Sequence, residues 1–413
     1  MKIQDLSTFD SIVDEIIERE ERRQDDELEL IASENYASPA VRAALSSVLT
    51  NKYSEGYPGK RYYGGNNIID EIETLAINRV KELFSAEHAN VQPLSGSPAN
   101  AAVYMAFLEP GDKVLGLRLD HGGHLSHGHS VNFSGRLYNF VQYGLDPKTG
   151  RIDMEELRKV ALAERPKMIV AGFSAYSREI DWAGFKAIAD EIGAYTFADI
   201  AHIAGLIAGK QLTNPVPLFD VVATTTHKTL RGPRGAVIMC KEQFAKQVDR
   251  AVFPGMQGGP HDNVTAAKAV AFGEALKPEF AEYSKQTIIN AQALAAALSE
   301  KGYGIVSGGT DNHLFVVDLS TKGLAGKEAE KALEAVGISV SRSTIPNDPN
   351  PPMNPSGIRI GTPAVTTRGL KEEDMKIVAD IIDEAIINRE DEAKLMELKD
   401  KTAEFCRRYP IPA

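Results

Sequence analysis

Six short, largely apolar runs recur through the first two thirds of the chain, at residues 90–94, 113–117, 167–172, 194–199, 220–225 and 235–240. A strand with one wet face alternates apolar and polar residues. A run that stays apolar belongs to a strand covered on both faces. Helical patterns separate most of these runs, for example at residues 153–163 and 181–192. Apolar strands alternating with amphipathic helices specify an α/β domain built on a mostly parallel sheet. This pattern fills residues 38–278. It opens at Ser38-Pro39, a capping serine with proline in the first helical turn.

A chain of 413 residues exceeds one compact core by the prior of ~150 residues per domain, so further units are expected. From residue 279 the texture changes. A long helix (279–301) precedes short strands at 304–307 and 313–319, a helix at 326–336 and a strand at 338–342. A proline-rich loop (345–355), a strand at 357–361 and two helices complete a smaller α+β domain, 279–413. Residues 1–37 read as a helical arm with Leu6, Phe9, Val13, Ile16 and Ile17 at helical spacing. That apolar face either docks on a partner or packs on its own domain.

With 43% hydrophobic and 25% charged residues the composition is that of a globular protein. The net charge of -11 argues against a nucleic-acid partner, which requires a basic face. No apolar stretch approaches the ~20 residues that span a bilayer, and residues 1–5 carry no apolar signal core. The expectation is a cytoplasmic protein with no membrane partner. The only cysteines, Cys240 and Cys406, form no CxxC pair, so neither a metal nor a redox dithiol is expected.

Several segments carry chemistry. Thr224-Thr225-Thr226-His227-Lys228-Thr229 follows a strand and precedes the tight turn Gly232-Pro233-Arg234-Gly235. A lysine held in such a pocket loses its proton readily, as Schiff-base chemistry requires. Asp199 ends another strand with His202 three residues on, where a carboxylate either caps a helix or pairs with a cation such as a pyridinium nitrogen. Ser95-Gly96-Ser97 lies between strand and helix, a setting for a phosphate or for a plain turn. Four histidines (His121, His124, His127, His129) stand among glycines without acidic or cysteine ligands, which favours a flat ligand over a metal. The tyrosine- and glycine-rich segment 53–65 reads as a binding loop with a built-in acid, Glu55, and Arg359 on an apolar strand reads as an anion grip.

Together these blocks closely resemble serine hydroxymethyltransferase, a fold-type I pyridoxal-phosphate enzyme. The likeness runs from Leu30-Ile31-Ala32-Ser33-Glu34-Asn35 to Arg359-Ile360-Gly361-Thr362-Pro363. It implies a large domain with a mostly parallel seven-stranded sheet and a reaction that moves the hydroxymethyl carbon of serine to tetrahydrofolate. The products are glycine and 5,10-methylenetetrahydrofolate. By resemblance Lys228 is the Schiff-base lysine for pyridoxal 5'-phosphate, with His227 beside it. Asp199 pairs with the pyridine nitrogen, His202 sits near the ring hydroxyl and His124 stacks on the ring. Ser95, Gly96 and Ser97 hold the phosphate, joined by Tyr53, Gly258 and Gly259 from the other subunit of a homodimer, or of a tetramer of such dimers. Ser174 and Thr225 are further cofactor contacts. Ser33, Tyr63 and Arg359 bind the amino acid, Glu55 is the acid/base, and Tyr62, Leu119, Gly123 and Leu125 line the folate. The chain departs from the family pattern at Leu94, Pro98, Ser343 and Pro351-Pro352-Met353, changes that bear on folate more than on the cofactor. The nearest rival is a folate-independent aldolase of the same fold, resembling threonine aldolase. Segment 53–65 and Glu55 count against that rival.

Overall fold

The computed structural model describes residues 6–412. Residues 1–5, read above for a signal core, and residue 413 lie outside the described residues. The central sheet has seven strands: β1 (His88–Asn90), β2 (Lys113–Leu117), β3 (Asn139–Tyr143), β4 (Met168–Gly172), β5 (Tyr195–Asp199), β6 (Val221–Thr225) and β7 (Ala236–Cys240). Their spatial order is β1-β7-β6-β5-β4-β2-β3. Only β7 runs antiparallel to its neighbours, β1 and β6; the remaining pairings are parallel.

Both faces of this sheet are covered, which is why its strands read as continuous apolar runs. Val170, Phe197, Val221 and Ile238 pack to one side with Val103 and Tyr104 of the helix Gly96–Phe107. Ile169, Ala198, Val222 and Val237 pack to the other with Leu157, Trp182 and Phe185. Each large side chain buried this way contributes roughly 1.5–3 kcal/mol. Strand β3 is the exception. It is an edge strand whose first four residues are exposed or half-buried, so it shows no apolar run in the sequence.

A second antiparallel sheet joins β8 (Gly304–Ile305), β9 (Leu314–Asp318), β10 (Ser341–Ser343) and β11 (Gly357–Gly361) in the order β8-β9-β11-β10. The strand expected at 338–342 is divided at Val340. Ile338–Ser339 pairs instead with Leu28–Glu29, and Ser341–Ser343 pairs with β11. Leu28 and Leu30 therefore join the hydrophobic cluster formed by Leu298, Phe315, Ile358, Ile382 and Leu398. The helix Pro278–Glu300 contributes to both clusters, through Phe280 and Tyr283 at its start and through Leu294 and Leu298 near its end. The arm helix Ser11–Asp26 buries none of its side chains, and Phe9, Ile12 and Ile16 are exposed.

Candidate active site

In an open parallel sheet, ligands collect at the carboxyl ends of the strands. The candidate residues do so here. Asp199 closes β5, Ser174 follows β4, the phosphate-loop candidates follow β1, and Lys228 follows β6. A cavity of about 540 Å³ is lined by Lys228, His227, Thr225, Asp199, His202, His124, Ser174, Ser95, Gly96 and Ser97, together with Ser33 and Arg359. Such a volume suits one small cofactor with a small substrate.

The loop bearing Lys228 is pinned by its neighbours. The Lys228 carbonyl accepts from Asn35 Nδ2 (3.0 Å), and Thr229 Oγ1 donates to the His202 carbonyl (2.9 Å). Burial lowers the Lys228 amine to about 8; the Arg359 and Arg234 charges act in the same direction and Asp199 opposes them. Asp199 Oδ2 accepts from Asn100 Nδ2 (2.8 Å) and faces His127 Nε2 (3.1 Å), while Oδ1 accepts from the Ala201 amide (3.1 Å). Burial alone would push Asp199 up. The hydrogen bond and charge of His127, with His124 and Asn100, hold it well below the usual carboxylate range. Asp199 thus stays ionised and can pair with a buried cation.

Three histidines that line the cavity, His124, His202 and His227, are kept neutral. Burial lowers His124 to about 4, and His127 adds to the effect. The Ser126 amide donates to His124 Nδ1 (3.1 Å), which leaves the ring proton on Nε2. Burial also lowers His227 to about 3, and holds His202 well below the ordinary value; His202 Nδ1 lies 3.3 Å from His313 Nε2. His124, His127 and Asp199 bring one ligand atom each within 4.8 Å of one another, but Asp199 Oδ2 is already shared by Asn100 and His127. Arg359 Nη1 donates to the Ser174 carbonyl (2.6 Å) and Nε to Ser341 Oγ (3.2 Å). Its guanidinium forms no ion pair among the described residues, so the cavity holds a cation in need of an anion.

A second cavity of about 650 Å³ adjoins the first. Leu119, Gly123, Ser343 and Pro352 line it, and Ser174 and Arg359 form a wall common to both. The remaining candidates lie elsewhere in the chain. A side chain at Gly258 would sit 3.2 Å from Glu55 Oε1, and one at Gly259 would sit 3.5 Å from the Tyr53 ring. Tyr53 packs edge-on against Tyr63 at 5.2 Å. These residues, with Tyr62 and Leu125, line neither cavity, and Tyr53, Tyr62, Tyr63 and Leu125 are exposed.

The family model for serine hydroxymethyltransferase matches residues 6–382. The chain is 55% identical over 410 residues to the serine hydroxymethyltransferase of Legionella pneumophila strain Lens, covering 99% of this chain and 98% of that one. It is also 55% identical over 408 residues to the serine hydroxymethyltransferase of Alkalilimnicola ehrlichii, covering 98% and 97%. The chain belongs to the serine hydroxymethyltransferase family. Members are transferases of fold-type I that use pyridoxal phosphate and a folate to interconvert serine and glycine, and the seven-stranded sheet described above is that fold.

The residues present fit that cofactor. An ionised, buried carboxylate suits a pyridinium, a partly deprotonated lysine suits an aldehyde, and the helix Gly96–Phe107 starts at the cavity with no side chain capping its first amides. Gly96 leaves room there, since a Cβ would come within 2.9 Å of Thr225 Cγ2. The sequence reading assigns no role to Asn100 or His127, although both bond to Asp199. For Asn100 the available signal is a lone amide in an otherwise apolar helix; it is 2% exposed. For His127 it is its place in the histidine cluster.

Proposed function

We propose that this chain binds pyridoxal 5'-phosphate in the Lys228 cavity and tetrahydrofolate in the adjoining one, and so moves the hydroxymethyl carbon of serine to the folate, reversibly. The observation that carries this reading is the wall of Ser174 and Arg359 shared by the two cavities. An amino acid held there by its carboxylate would lie beside a second substrate. When bound, the cofactor supplies an electron sink for the pair left behind when the bond to the hydroxymethyl carbon breaks.

The chain's own residues do the rest. Lys228 offers a neutral amine to the cofactor's aldehyde, with His227 behind it. Asp199 keeps its negative charge for the ring nitrogen, and His202 and His124 stay uncharged against the ring. Ser95, Gly96 and Ser97 present hydroxyls and amides to the phosphate, with Thr225 and Ser174 alongside. Arg359 takes the serine carboxylate bidentately, aided by Ser33. Leu119 and Gly123 line the folate side.

Glu55, Tyr53, Tyr62, Tyr63, Leu125, Gly258 and Gly259 line neither cavity of their own chain. We assign them to the cavity of a second copy, in a homodimer with shared sites. There Glu55 moves the proton of the serine hydroxyl. Of the nearby cations it could pair with instead, Lys60 and Arg61, Arg61 is already held by Asp70 and Glu73. The exposed apolar face of the arm helix supports docking on that second copy. We divide the chain into an arm (1–37), a large domain (38–278) and a small domain (279–413); the clusters on the two faces of the large sheet and the separate one at the second sheet support the last two, with Leu28 and Leu30 of the arm packed into the latter. Among the described residues no helix is long and apolar enough to cross a membrane; the site of action we propose is the cytoplasm.

Serine cleavage measured with and without tetrahydrofolate tests the reading. Strong folate dependence is expected. Equal cleavage without folate, together with faster turnover of threonine, would make the protein an aldolase.

A further inference from the structure

Lys268 lies in the helix Asp262–Ala275 and is 1% exposed. It forms no ion pair among the described residues. Its Nζ donates to three backbone carbonyls, those of Val91 (2.6 Å), Pro93 (3.0 Å) and Ala236 (3.0 Å). An ammonium has three N–H donors, and here all three are used. The neutral amine has only two, so the three acceptors favour the protonated form, whereas burial pulls the group down to about 7. Burying an unpaired charge is expensive, and chains retain such a group where its hydrogen bonds serve a purpose.

The three carbonyls identify that purpose. Residues 91–94 lead into Ser95 outside any helix or strand, and their backbone groups are taken from two sides. The Val91 and Pro93 carbonyls face Lys268. On the other side, Gln257 Nε2 donates to the Gln92 carbonyl (2.8 Å) and Gln257 Oε1 accepts from the Leu94 amide (3.3 Å). Proline has no N–H to donate, so at Pro93 the lead-in is held through its carbonyl, which also accepts from the Ala236 amide (3.1 Å). Ala236 opens β7, immediately after the turn that follows Lys228. One ammonium therefore joins the segment that enters the phosphate loop to the segment that leaves the Schiff-base lysine. Gly235 makes room for it, since a Cβ there would meet Lys268 Cε at 2.5 Å.

We propose that Lys268 is a positioning residue that sets the phosphate loop, Ser95 to Ser97, at its working distance from Lys228. This rests on the reading that this loop holds the cofactor's phosphate. The test compares binding of pyridoxal 5'-phosphate, of pyridoxal (which lacks the phosphate) and of inorganic phosphate to the apoenzyme and two variants, Lys268→Met and Gly235→Ala. The first deletes the donors. The second displaces the ammonium by a single methyl and covers the case in which the first does not fold. In both variants the pyridoxal phosphate and inorganic phosphate affinities should fall about ten- to hundred-fold, the usual cost of losing a charged hydrogen-bond donor. Pyridoxal binding should be unchanged, and the ³¹P resonance of the bound cofactor should move. A purely structural lysine would weaken pyridoxal and pyridoxal phosphate alike, or neither, and either result overturns the proposal. If the wild-type apoenzyme itself shows no preference for the phosphorylated ligand, the underlying assignment of the phosphate loop is what fails.

Discussion

A lysine amine attacks a carbonyl only after losing its proton, and the cavity brings that event near neutral pH. The ordinary lysine value is 10.5, and burial lowers Lys228 to about 8, with Arg359 and Arg234 adding to the shift. At pH 7 roughly a tenth of such an amine is neutral, against well under a thousandth for an unshifted one. The same burial keeps His124 and His227 uncharged, so the fixed cations of the cavity are Arg234 and Arg359. The neutral fraction increases with pH until the pKa is passed. Reconstitution of the apoenzyme with pyridoxal 5'-phosphate should therefore accelerate about tenfold per pH unit up to about 8 and then level off. A stopped-flow series that keeps climbing at the same slope through pH 10 would show that the cavity does not activate Lys228.

The strands best read from sequence are those buried on both faces, because a two-sided environment leaves an unbroken apolar run. Strand β3 left no such run because it is an edge, and residues 91–94 left a misleading one. Only His88–Asn90 pairs in the β1 run; the following residues bond instead to Lys268 and Gln257, partners that are more than 160 residues away. Lys228 and Asp199 were legible as polar residues closing apolar strands. Asn100 and His127 were not, since their role depends on Asp199, which folding alone brings to them. The sequence sets Ser95-Gly96-Ser97 between strand and helix, but the helix already begins at Gly96, because Ser95 is extended and occupies the capping position. Pro98 then falls in the first turn, where its missing N–H breaks no helical bond. This early start places the helix amides in the cavity, and it leaves Gly96 against Thr225. Gly96→Ala should weaken pyridoxal phosphate binding roughly tenfold, the scale of one lost good hydrogen bond, while folding persists. Apoenzyme titration followed by cofactor absorbance measures this, and wild-type affinity in a folded variant would mean that the phosphate binds elsewhere.

At the scale of the whole molecule, the residues proposed for the reaction do not gather at one place on the chain. The residues proposed to hold the cofactor and the substrate carboxylate line the Lys228 cavity. Glu55, Tyr53, Gly258 and Gly259 gather at a second place, where Gly258 lies against Glu55 and Gly259 against the Tyr53 ring. The surface around them is rich in exposed apolar groups, including Tyr53, Tyr62, Tyr63 and Met256, which a lone chain gains nothing by showing to water. The two-fold axis proposed above would answer both, because it would cover the patch and bring each Glu55 to the other copy's cavity, giving two equivalent composite sites. Subunit exchange separates this arrangement from a site complete within one chain. Lys228→Ala and Glu55→Gln are each expected to be inactive alone, the latter by roughly 10²–10⁴ in rate. In a mixed dimer, one site carries both lesions and the other carries neither. Random exchange of equal amounts makes about half of the dimers mixed, so about a quarter of the wild-type activity per subunit should return. If both residues serve the cavity of their own chain, every site in every dimer carries one lesion, and mixing restores nothing.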